Sequence, residues 1–271
     1  MGVVNVTPDS FSDGGRWDTP DAAIAHGRRL LADGADILDV GGESTRPGAT
    51  RPVVSEELDR VVPVIATLTN DGARVSVDTM RAEVAAEAVA AGAGIVNDVS
   101  GGLADPAILD VVARTGVTYV CMHWRAHSAQ MADFASYDDG VVPVVRRELA
   151  GRVETLRAAG VAEDRIVLDP GLGFAKGAAH NWDLMAGLGQ LADLGFPLLV
   201  GASRKSFLGS LLADASGEPR PVDDREDATT ALTTLLAERG VWGVRVHDVR
   251  ASRDALRVWE RWSHHERSKN Q

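Results

Sequence analysis

The sequence predicts an α/β protein that folds as a single (β/α)8 TIM barrel with parallel strands, in one domain over residues 1–271. Short apolar, β-branched runs alternate with Ala-rich helical stretches, and this alternation repeats eight times. Strict alternation favours a parallel sheet, and eight repeats are the number that closes a barrel. A doubly wound open sheet is the main alternative, but its helices are not so regularly counted.

The predicted elements follow one another along the whole chain. The strands are Gly2–Val6, Ile37–Val40, Arg74–Asp78, Gly94–Asn97, Val117–His123, Arg165–Asp169, Pro197–Gly201 and Gly243–His247. The helices are Asp21–Asp33, Ser55–Asn70, Arg81–Ala91, Pro106–Arg114, Val141–Ala159, Asn181–Leu191, Ser203–Ala213 with Asp227–Glu238, and Ser252–Ser263, before a polar tail at 264–271. Glycines stand where the helices should stop: Gly34, Gly72, Gly92, Gly116, Gly160, Gly195 and Gly240.

Composition excludes several classes of function. The formal net charge of −11 argues against a nucleic-acid partner, because phosphate backbones need a dense basic surface. A small anionic substrate stays possible, since a few local cations can hold one. No apolar stretch approaches the ~20 residues that cross a membrane, and no signal peptide is visible. The single cysteine, Cys121, precludes an intrachain disulfide and fits a buried structural role in a cytoplasmic protein.

Polar residues stand at the carboxyl ends of the predicted strands, where barrel enzymes carry their chemistry. These residues are Asn5, Glu43, Asp78, Asn97, His123, Asp169, Ser203 and Arg245. A strand buried on both faces should be apolar to its end, and burying one unpartnered Asp costs several kcal/mol. Eight such ends facing one point therefore indicate a functional site. Asp36 and Asp39, by contrast, fit the starts of strands or a supporting role, and the pairs Gly41-Gly42 and Gly171-x-Gly173 complete no phosphate-binding motif.

The polar set divides into two sides. Cations on the second, seventh and eighth units predict a phosphate site: Arg46, Arg204, Lys205, Arg245 and His247. Ser203 is expected to cap the next helix, whose N-terminus favours an anion. Asp78, Asn97 and Asp169 offer two carboxylates and an amide, which suit a ring rich in N–H donors. Residues alone thus predict a site for an anion and an N–H-rich heterocycle.

Seven segments carry a resemblance to a known family. They are NVTPDSFSDGG (5–15), DVGGESTRPGA (39–49), SVDT (76–79), NDVSGG (97–102), DPGLGF (169–174), GASRKSFLG (201–209) and RVHDV (245–249). Together and in this order they resemble the dihydropteroate synthases of folate biosynthesis. The stretch MHWRAHS (122–128) is similar to actinobacterial members.

The resemblance implies an enzyme that condenses (7,8-dihydropterin-6-yl)methyl diphosphate with 4-aminobenzoate, releasing diphosphate. It implies pterin binding by Asp78, Asn97, Met122, Asp169, Gly201 and Lys205. It implies diphosphate binding by Asn5, Thr45, Arg245 and His247, with Mg²⁺ contacted by Asn5. It implies an aminobenzoate pocket of Phe11, Pro47, Phe174, Lys205 and Ser206, and catalytic roles for Asp13, Thr45, Arg46, Asp78 and Lys205. It also implies a homodimer formed through outer helices, with which Trp259 and Trp262 are compatible.

These roles agree with a dissociative reaction in which diphosphate leaves before the amine attacks. Asp13 and Asp78 would stabilise the cationic pterin methylene. Loop one (Thr7–Trp17) and loop two (Gly41–Pro52) are expected to act as mobile lids that exclude water. Two alternatives stay open. A methyltetrahydrofolate-binding methyltransferase domain would not need the anion site, and a catalytically silent paralogue should have lost residues of the two loops.

Overall fold

The computed structural model describes residues 1–7, 19–43, 51–127 and 134–269. Its strands are β1 (Gly2–Asn5), β2 (Leu38–Gly41), β3 (Val75–Asp78), β4 (Ile95–Asp98), β5 (Thr118–Met122), β6 (Ile166–Asp169), β7 (Leu199–Val200) and β8 (Gly243–Val244). Strands β1 to β6 form one parallel sheet in chain order, and β7 pairs with β8 in parallel. Single bridges between Leu168 and Leu198 and between Gly2 and Val246 join the two sheets into a closed ring. The prediction of a parallel eight-stranded barrel is confirmed.

Helices alternate with these strands. They are α1 (Pro20–Ala32), α2 (Val54–Asn70), α3 (Ala82–Ala90), α4 (Ala107–Thr115), α5 (Val141–Ala158), α6 (Ala178–Ala186), α7 (Leu188–Ala192), α8 (Ser206–Leu211), α9 (Glu226–Glu238) and α10 (Val249–Lys269). The seven glycines predicted to stop helices all have φ between 67° and 111°, the left-handed conformation that such stops use. No helix in the described part of the chain is long and apolar enough to cross a membrane.

Three helices differ from their predicted bounds by more than one residue. The helix predicted at Asn181–Leu191 is two helices that meet at Gly187, where an added Cβ would lie 2.7 Å from the Val142 side chain of α5. The helix predicted from Ser203 begins at Ser206. The last helix continues past Ser263 to Lys269, in keeping with the high helix propensity of Glu, Arg and Lys.

The interior of the barrel changes from apolar to polar along the strands. An inner cluster of Ile37, Ile95, Val120, Val167 and Leu199 fills the amino-terminal part, while a larger apolar layer packs the helices against the outside of the sheet. Side chains on one face of a strand recur at every second position. The residue two positions after each of these apolar residues therefore also points into the barrel, one layer closer to its mouth. This alternation places the polar strand ends inside the ring.

Candidate active site

Four strand ends lie at one level of the barrel. Asn5 is in register with Gly41, Gly41 with Asp78, and Asp78 with Asn97. On the next strands, Met122 is in register with Asp169. The structure therefore brings together Asn5, Asp78, Asn97 and Asp169, the polar residues that the sequence predicted at the carboxyl ends of β1, β3, β4 and β6, with Met122 of β5 beside them.

Asp39 connects this level to Arg245. One oxygen of its fully buried carboxylate, Oδ2, accepts hydrogen bonds from Asn97 Nδ2 at 2.9 Å and from Arg245 Nε at 2.6 Å. Arg245 also donates through Nη2 to Asp78 Oδ2 at 2.9 Å. Sequence reasoning gave Asp39 only a supporting role; its place as a charged residue two positions before the end of a buried strand was the available signal.

These bonds determine what Asn97 and Asp78 can offer to a ligand. Because the amide nitrogen of Asn97 donates to Asp39, its oxygen is left as an acceptor. Burial raises the pKa of Asp78 to about 7; the Arg245 charge opposes this rise, and the Asp39 carboxylate adds to it. Gly41 leaves space for Asp78, since an added Cβ would lie 3.3 Å from Asp78 Cβ. The site therefore holds a carboxylate and an amide oxygen side by side.

Lys205 and Asp169 form a second charged pair at the mouth. Asp169 is buried, and its Oδ1 accepts the Gly171 N–H at 2.7 Å. Burial raises the pKa of Asp169, which the Lys205 charge opposes. Burial lowers the pKa of Lys205 to about 8, against the pull of Asp169. The Lys205 ammonium donates to the carbonyl of Leu172 and lies 5.0 Å from the centre of the Phe174 ring.

An apolar group lines the same mouth. Met122 clusters with Met80 and Val99, and Trp124 and Phe174 pack against them. Met80 and Val99 each stand two residues beyond a polar strand end, Asp78 and Asn97 respectively. Sequence reasoning found Met122 and Phe174 but missed the other three. The arrangement places an apolar group beside the polar acceptors, a combination typical of small-molecule sites.

Comparison of the chain with known proteins identifies its family. Residues 1–247 match the model of the pterin-binding enzymes. The chain is 54% identical to the dihydropteroate synthase of Mycobacterium leprae over 264 residues, which cover 97% of this chain and 93% of that protein. The chain belongs to the dihydropteroate synthase family.

Solved structures agree. The fold matches the Xanthomonas albilineans dihydropteroate synthase with 4-aminobenzoic acid at a TM-score of 0.87 and 48% identity, covering 97% of this chain and 92% of that one. It matches the same organism's enzyme in complex with 7,8-dihydropteroate at a TM-score of 0.84 and 45% identity, again covering 97% and 92%. The resemblance stated from the seven segments is thereby confirmed.

The anion side differs from its prediction at two residues. Ser203 does not cap the next helix, which begins after Lys205 without a side-chain cap; its hydroxyl instead lies 2.9 Å from His247 Nδ1 and accepts the His247 N–H at 3.2 Å. Arg204, predicted among the anion-binding cations, pairs with Glu226 and lies 3.7 Å from Asp223. Both residues therefore support the loop after β7 in this family member.

His123 likewise stands at the end of β5 but is bonded outside the mouth. It is buried, with Nε2 2.7 Å from Glu148 and Nδ1 2.8 Å from the ammonium of Lys176. Burial lowers the pKa of His123 to about 4, and the Lys176 charge adds to this effect. The imidazole is therefore neutral near pH 7 and joins α5 to the loop after β6.

Several predicted site residues lie outside the described residues: Phe11, Asp13, Thr45, Arg46 and Pro47. Their roles stay predictions. Of the other predicted ligand-contacting residues, Gly201 is buried beside Lys205, with the ammonium 3.8 Å from an added Cβ, and Ser206 is the exposed first residue of α8.

The donors available for Mg²⁺ fit a metal that is shared with a substrate. In the described ranges, no three His, Cys, Asp or Glu side chains gather into a metal cluster. Asn5 offers one carboxamide oxygen at the barrel mouth, and Mg²⁺ is commonly held by one or two protein groups plus phosphates. A diphosphate would supply the remaining ligands.

Proposed function

We propose that this chain joins (7,8-dihydropterin-6-yl)methyl diphosphate to 4-aminobenzoate and releases 7,8-dihydropteroate and diphosphate. The observation that carries the proposal is the hydrogen-bonded group at the barrel mouth, in which Asn97 and Arg245 donate to Asp39 and Arg245 also donates to Asp78. The named relatives and the solved complexes with 4-aminobenzoic acid and 7,8-dihydropteroate support it.

The pterin is proposed to bind with its N–H edge towards Asp78, Asn97 and Asp169. The Asn97 oxygen accepts one N–H, and the two carboxylates accept the amino and ring N–H groups. Lys205 and Gly201 stand beside Asp169, so that the lysine can donate to a ring acceptor. Met122 gives the ring an apolar face to lie against.

The reaction is proposed to follow a dissociative path. The bond between the pterin methylene carbon and the diphosphate oxygen breaks first, and its electron pair leaves with the diphosphate. Asp78 stabilises the resulting cation as an ionised carboxylate, helped by Asp13 in loop one. The amine lone pair of 4-aminobenzoate then forms the C–N bond, and the nitrogen loses a proton, which reaches solvent once product release opens the site.

The diphosphate is proposed to bind Asn5, Thr45, Arg245 and His247. Bound Mg²⁺ would neutralise charge on the departing diphosphate, and Asn5 is the residue that would contact it. His247 is oriented by its contact with Ser203, and Arg245 by its two carboxylates. Arg245 thus joins the pterin and diphosphate sides, which the sequence had separated.

The aminobenzoate pocket is proposed to consist of Phe11, Pro47, Phe174, Lys205 and Ser206. Lys205 is held over the Phe174 ring, so that its ammonium is positioned near an incoming carboxylate or amine. Arg46 is proposed to approach from loop two during turnover. Both loops would exclude water, which would otherwise capture the cation.

A homodimer is the proposed assembly. The described surface exposes large apolar residues on the last two helices, with Leu235 on α9 and Val258 and Trp262 on α10 exposed by 62–69%. Trp259 has a separate explanation, since its Nε1 donates to Glu238 at 2.6 Å across the α9–α10 contact. Trp262 is therefore the tryptophan that supports the dimer.

Product formation tests the proposed function. The purified chain is incubated with the pterin diphosphate, 4-aminobenzoate and Mg²⁺, and 7,8-dihydropteroate is measured by chromatography. The corresponding hydroxymethyl pterin without diphosphate is the control and should give no product. Absence of product from well-folded protein would overturn the proposal.

Lys205→Ala adds a residue-level test. We expect turnover to fall at least about 100-fold, because the variant loses the cation beside Asp169, and we expect this loss to be far larger than the loss of folding stability. Steady-state kinetics and thermal unfolding measure the two effects. A variant that unfolds instead would make Lys205 a structural residue.

A further inference from the structure

Lys176 is a buried cation behind the loop that follows β6. Its side chain belongs to none of the predicted ligand contacts, yet only 8% of the residue is exposed. The ammonium donates to the carbonyls of Phe174 at 2.9 Å and Gly171 at 3.0 Å, and lies 2.8 Å from His123 Nδ1. A buried ammonium that uses three acceptors must stabilise a specific arrangement of them.

The loop that Lys176 contacts has an unusual backbone. Gly171, Gly173 and Ala175 have φ of 66°, 79° and 50°, all in the left-handed region. Ala175 carries a Cβ, so this conformation costs free energy that surrounding contacts must offset. The Tyr137 hydroxyl donates to the Ala175 carbonyl at 3.1 Å and is one such contact.

A second lysine holds the same loop from the other side. Lys205 donates to the Leu172 carbonyl and lies over the Phe174 ring. An added Cβ at Gly173 would lie 3.2 Å from the Lys205 side chain. The carbonyls of Gly171 and Phe174 therefore accept from Lys176, and the carbonyl of Leu172 accepts from Lys205.

Lys176 is itself held from behind. His123, which its ammonium contacts, is bonded to Glu148, and Glu148 receives Arg125 through Nε at 3.1 Å and Nη2 at 2.7 Å. Arg125 also lies 4.2 Å over the Tyr137 ring. This chain of contacts runs from the half-exposed Glu148 on α5 to the loop after β6.

We propose that Lys176 is a positioning residue for 4-aminobenzoate, which acts by fixing the 171–174 loop so that Phe174 and Lys205 keep their places in the aminobenzoate pocket. This inference rests on the proposed function. Lys176 touches neither substrate; it acts through the two backbone carbonyls.

The test is Lys176→Met, which keeps the length of the side chain and removes its donors. Provided that the wild type makes product, we expect the KM of the variant for 4-aminobenzoate to be at least about tenfold higher than that of the wild type, since small misplacements at a site are costly. The KM for the pterin diphosphate should change less than about threefold. A merely structural role would lower stability and leave both KM values of the folded enzyme unchanged, which would overturn the proposal.

Two further variants sharpen the comparison. Glu148→Gln weakens the far end of the contact chain at a half-exposed position, and should raise the KM for 4-aminobenzoate by about two- to threefold. It serves as the test if Lys176→Met fails to fold. Arg157→Met, also on α5, removes an exposed cation that pairs with Glu154 and Glu163, and should leave both KM values unchanged. Equal effects of the Glu148 and Arg157 variants would contradict the proposal.

Hydrogen–deuterium exchange gives a readout that does not depend on catalysis. Lys176→Met, or Glu148→Gln if that variant alone folds, should speed exchange in the peptide covering residues 170–176 without a matching change in strands β2 to β4. Unchanged exchange there would overturn the positioning role. If the wild type makes no product but the variant still shows faster exchange at residues 170–176, the result counts against the proposed function alone.

Discussion

At the scale of single residues, Asp39 is the centre of the polar interior. Its Oδ2 accepts from residues 58 and 206 positions away in the chain, Asn97 and Arg245. A buried carboxylate is tolerated only when it is paired and hydrogen-bonded, and here the paired groups are themselves proposed ligand contacts. One buried side chain thus orients groups on the pterin side and the diphosphate side together.

Asp39→Asn should therefore damage both substrate contacts. The variant cannot pair with Arg245 as an anion, and we expect kcat/KM for the pterin diphosphate to fall about 10- to 100-fold. Stability should fall by about 3 kcal/mol, because the Arg245 charge loses a buried partner. Steady-state kinetics and denaturant unfolding measure the two effects.

Asp33→Asn is the control for that variant, since Asp33 is a half-exposed carboxylate whose contact with Arg250 is 3.9 Å long. It should leave kcat/KM within about twofold of wild type. An Asp39 variant as active as this control would show that Asp39 does not orient the site.

Asp78 predicts a dependence of stability on pH. Its folded pKa of about 7 lies above the ordinary value of 3.8, so folding takes up a proton between these two values. The neutral Asp78 carboxyl therefore contributes to the stability of the folded state; this contribution is fully present below about pH 4 and is lost as the pH rises through about 7. Asp78→Asn does not titrate, so its melting temperature relative to wild type should rise between pH 5 and pH 8.

The expected relative rise is at least about 2 °C, which corresponds to roughly 1 kcal/mol in a chain of this size. Thermal unfolding at both pH values measures it, with Asp33→Asn as the comparison. Parallel profiles for the Asp78 variant and wild type would place the carboxylate's pKa near its ordinary value.

At the scale of elements, the loop after β6 depends on Gly171. Its φ is 66°, and an added Cβ would lie 2.3 Å from the carbonyl oxygen of His123. Gly171→Ala should therefore destabilise the fold by about 2–3 kcal/mol, from a left-handed backbone and a contact with rigid main chain. Denaturant unfolding measures this loss.

Gly189→Ala is the matched substitution in the same barrel. Gly189 lies in α7 with nothing within 4 Å of an added Cβ, so alanine there should stabilise by about 0.4–1 kcal/mol. Losses of equal size in the two variants would mean that the close approach to His123 has no energetic consequence.

The order of the elements and the number of strands could be predicted because each is a local pattern. Apolar runs gave the strands, and positive φ at Gly34 and Gly116 confirms two of the predicted stops. The break at Gly187 could not be predicted, since it depends on Val142 from another helix. Local signals mark where an element begins and ends only when its neighbours do not interrupt it.

The candidate site divides in the same way. Asp78 and Asn97 were predictable because strand ends in a barrel meet at one mouth, whatever the packing between them. The pairing of Ser203 with His247, and the burial of Lys176 against His123, depend on contacts across loops. Residue type and position indicated the chemistry of the site, and only the closed structure gave the partners.

At the scale of the whole molecule, the site depends on barrel closure. The Met1 ammonium donates to the Val244 carbonyl at 2.9 Å, and the Val246 N–H donates to the Met1 carbonyl at 3.0 Å. These bonds join the first strand to the last and bring Arg245 beside Asp39 and Asp78. A chain whose ends do not meet would lack that arginine in the site.

Exposed apolar side chains on α10, at the outside of the barrel, predict how the protein assembles. Val258 and Trp262 stand four residues apart on α10 and therefore share a helix face, and both are more than two-thirds exposed. Large apolar side chains grouped on a surface mark protein interfaces.

We expect wild type to be a dimer by light scattering coupled to size exclusion, and Trp262→Glu to be a monomer at the same concentration, because a buried unpaired charge opposes association. Leu211→Glu places the same charge at an exposed apolar residue of α8 and should stay dimeric. The melting temperature of the dimer should rise with protein concentration, and that of the Trp262 variant should not. A monomeric wild type, or a Leu211 variant that dissociates in place of the Trp262 variant, would move the interface away from α10.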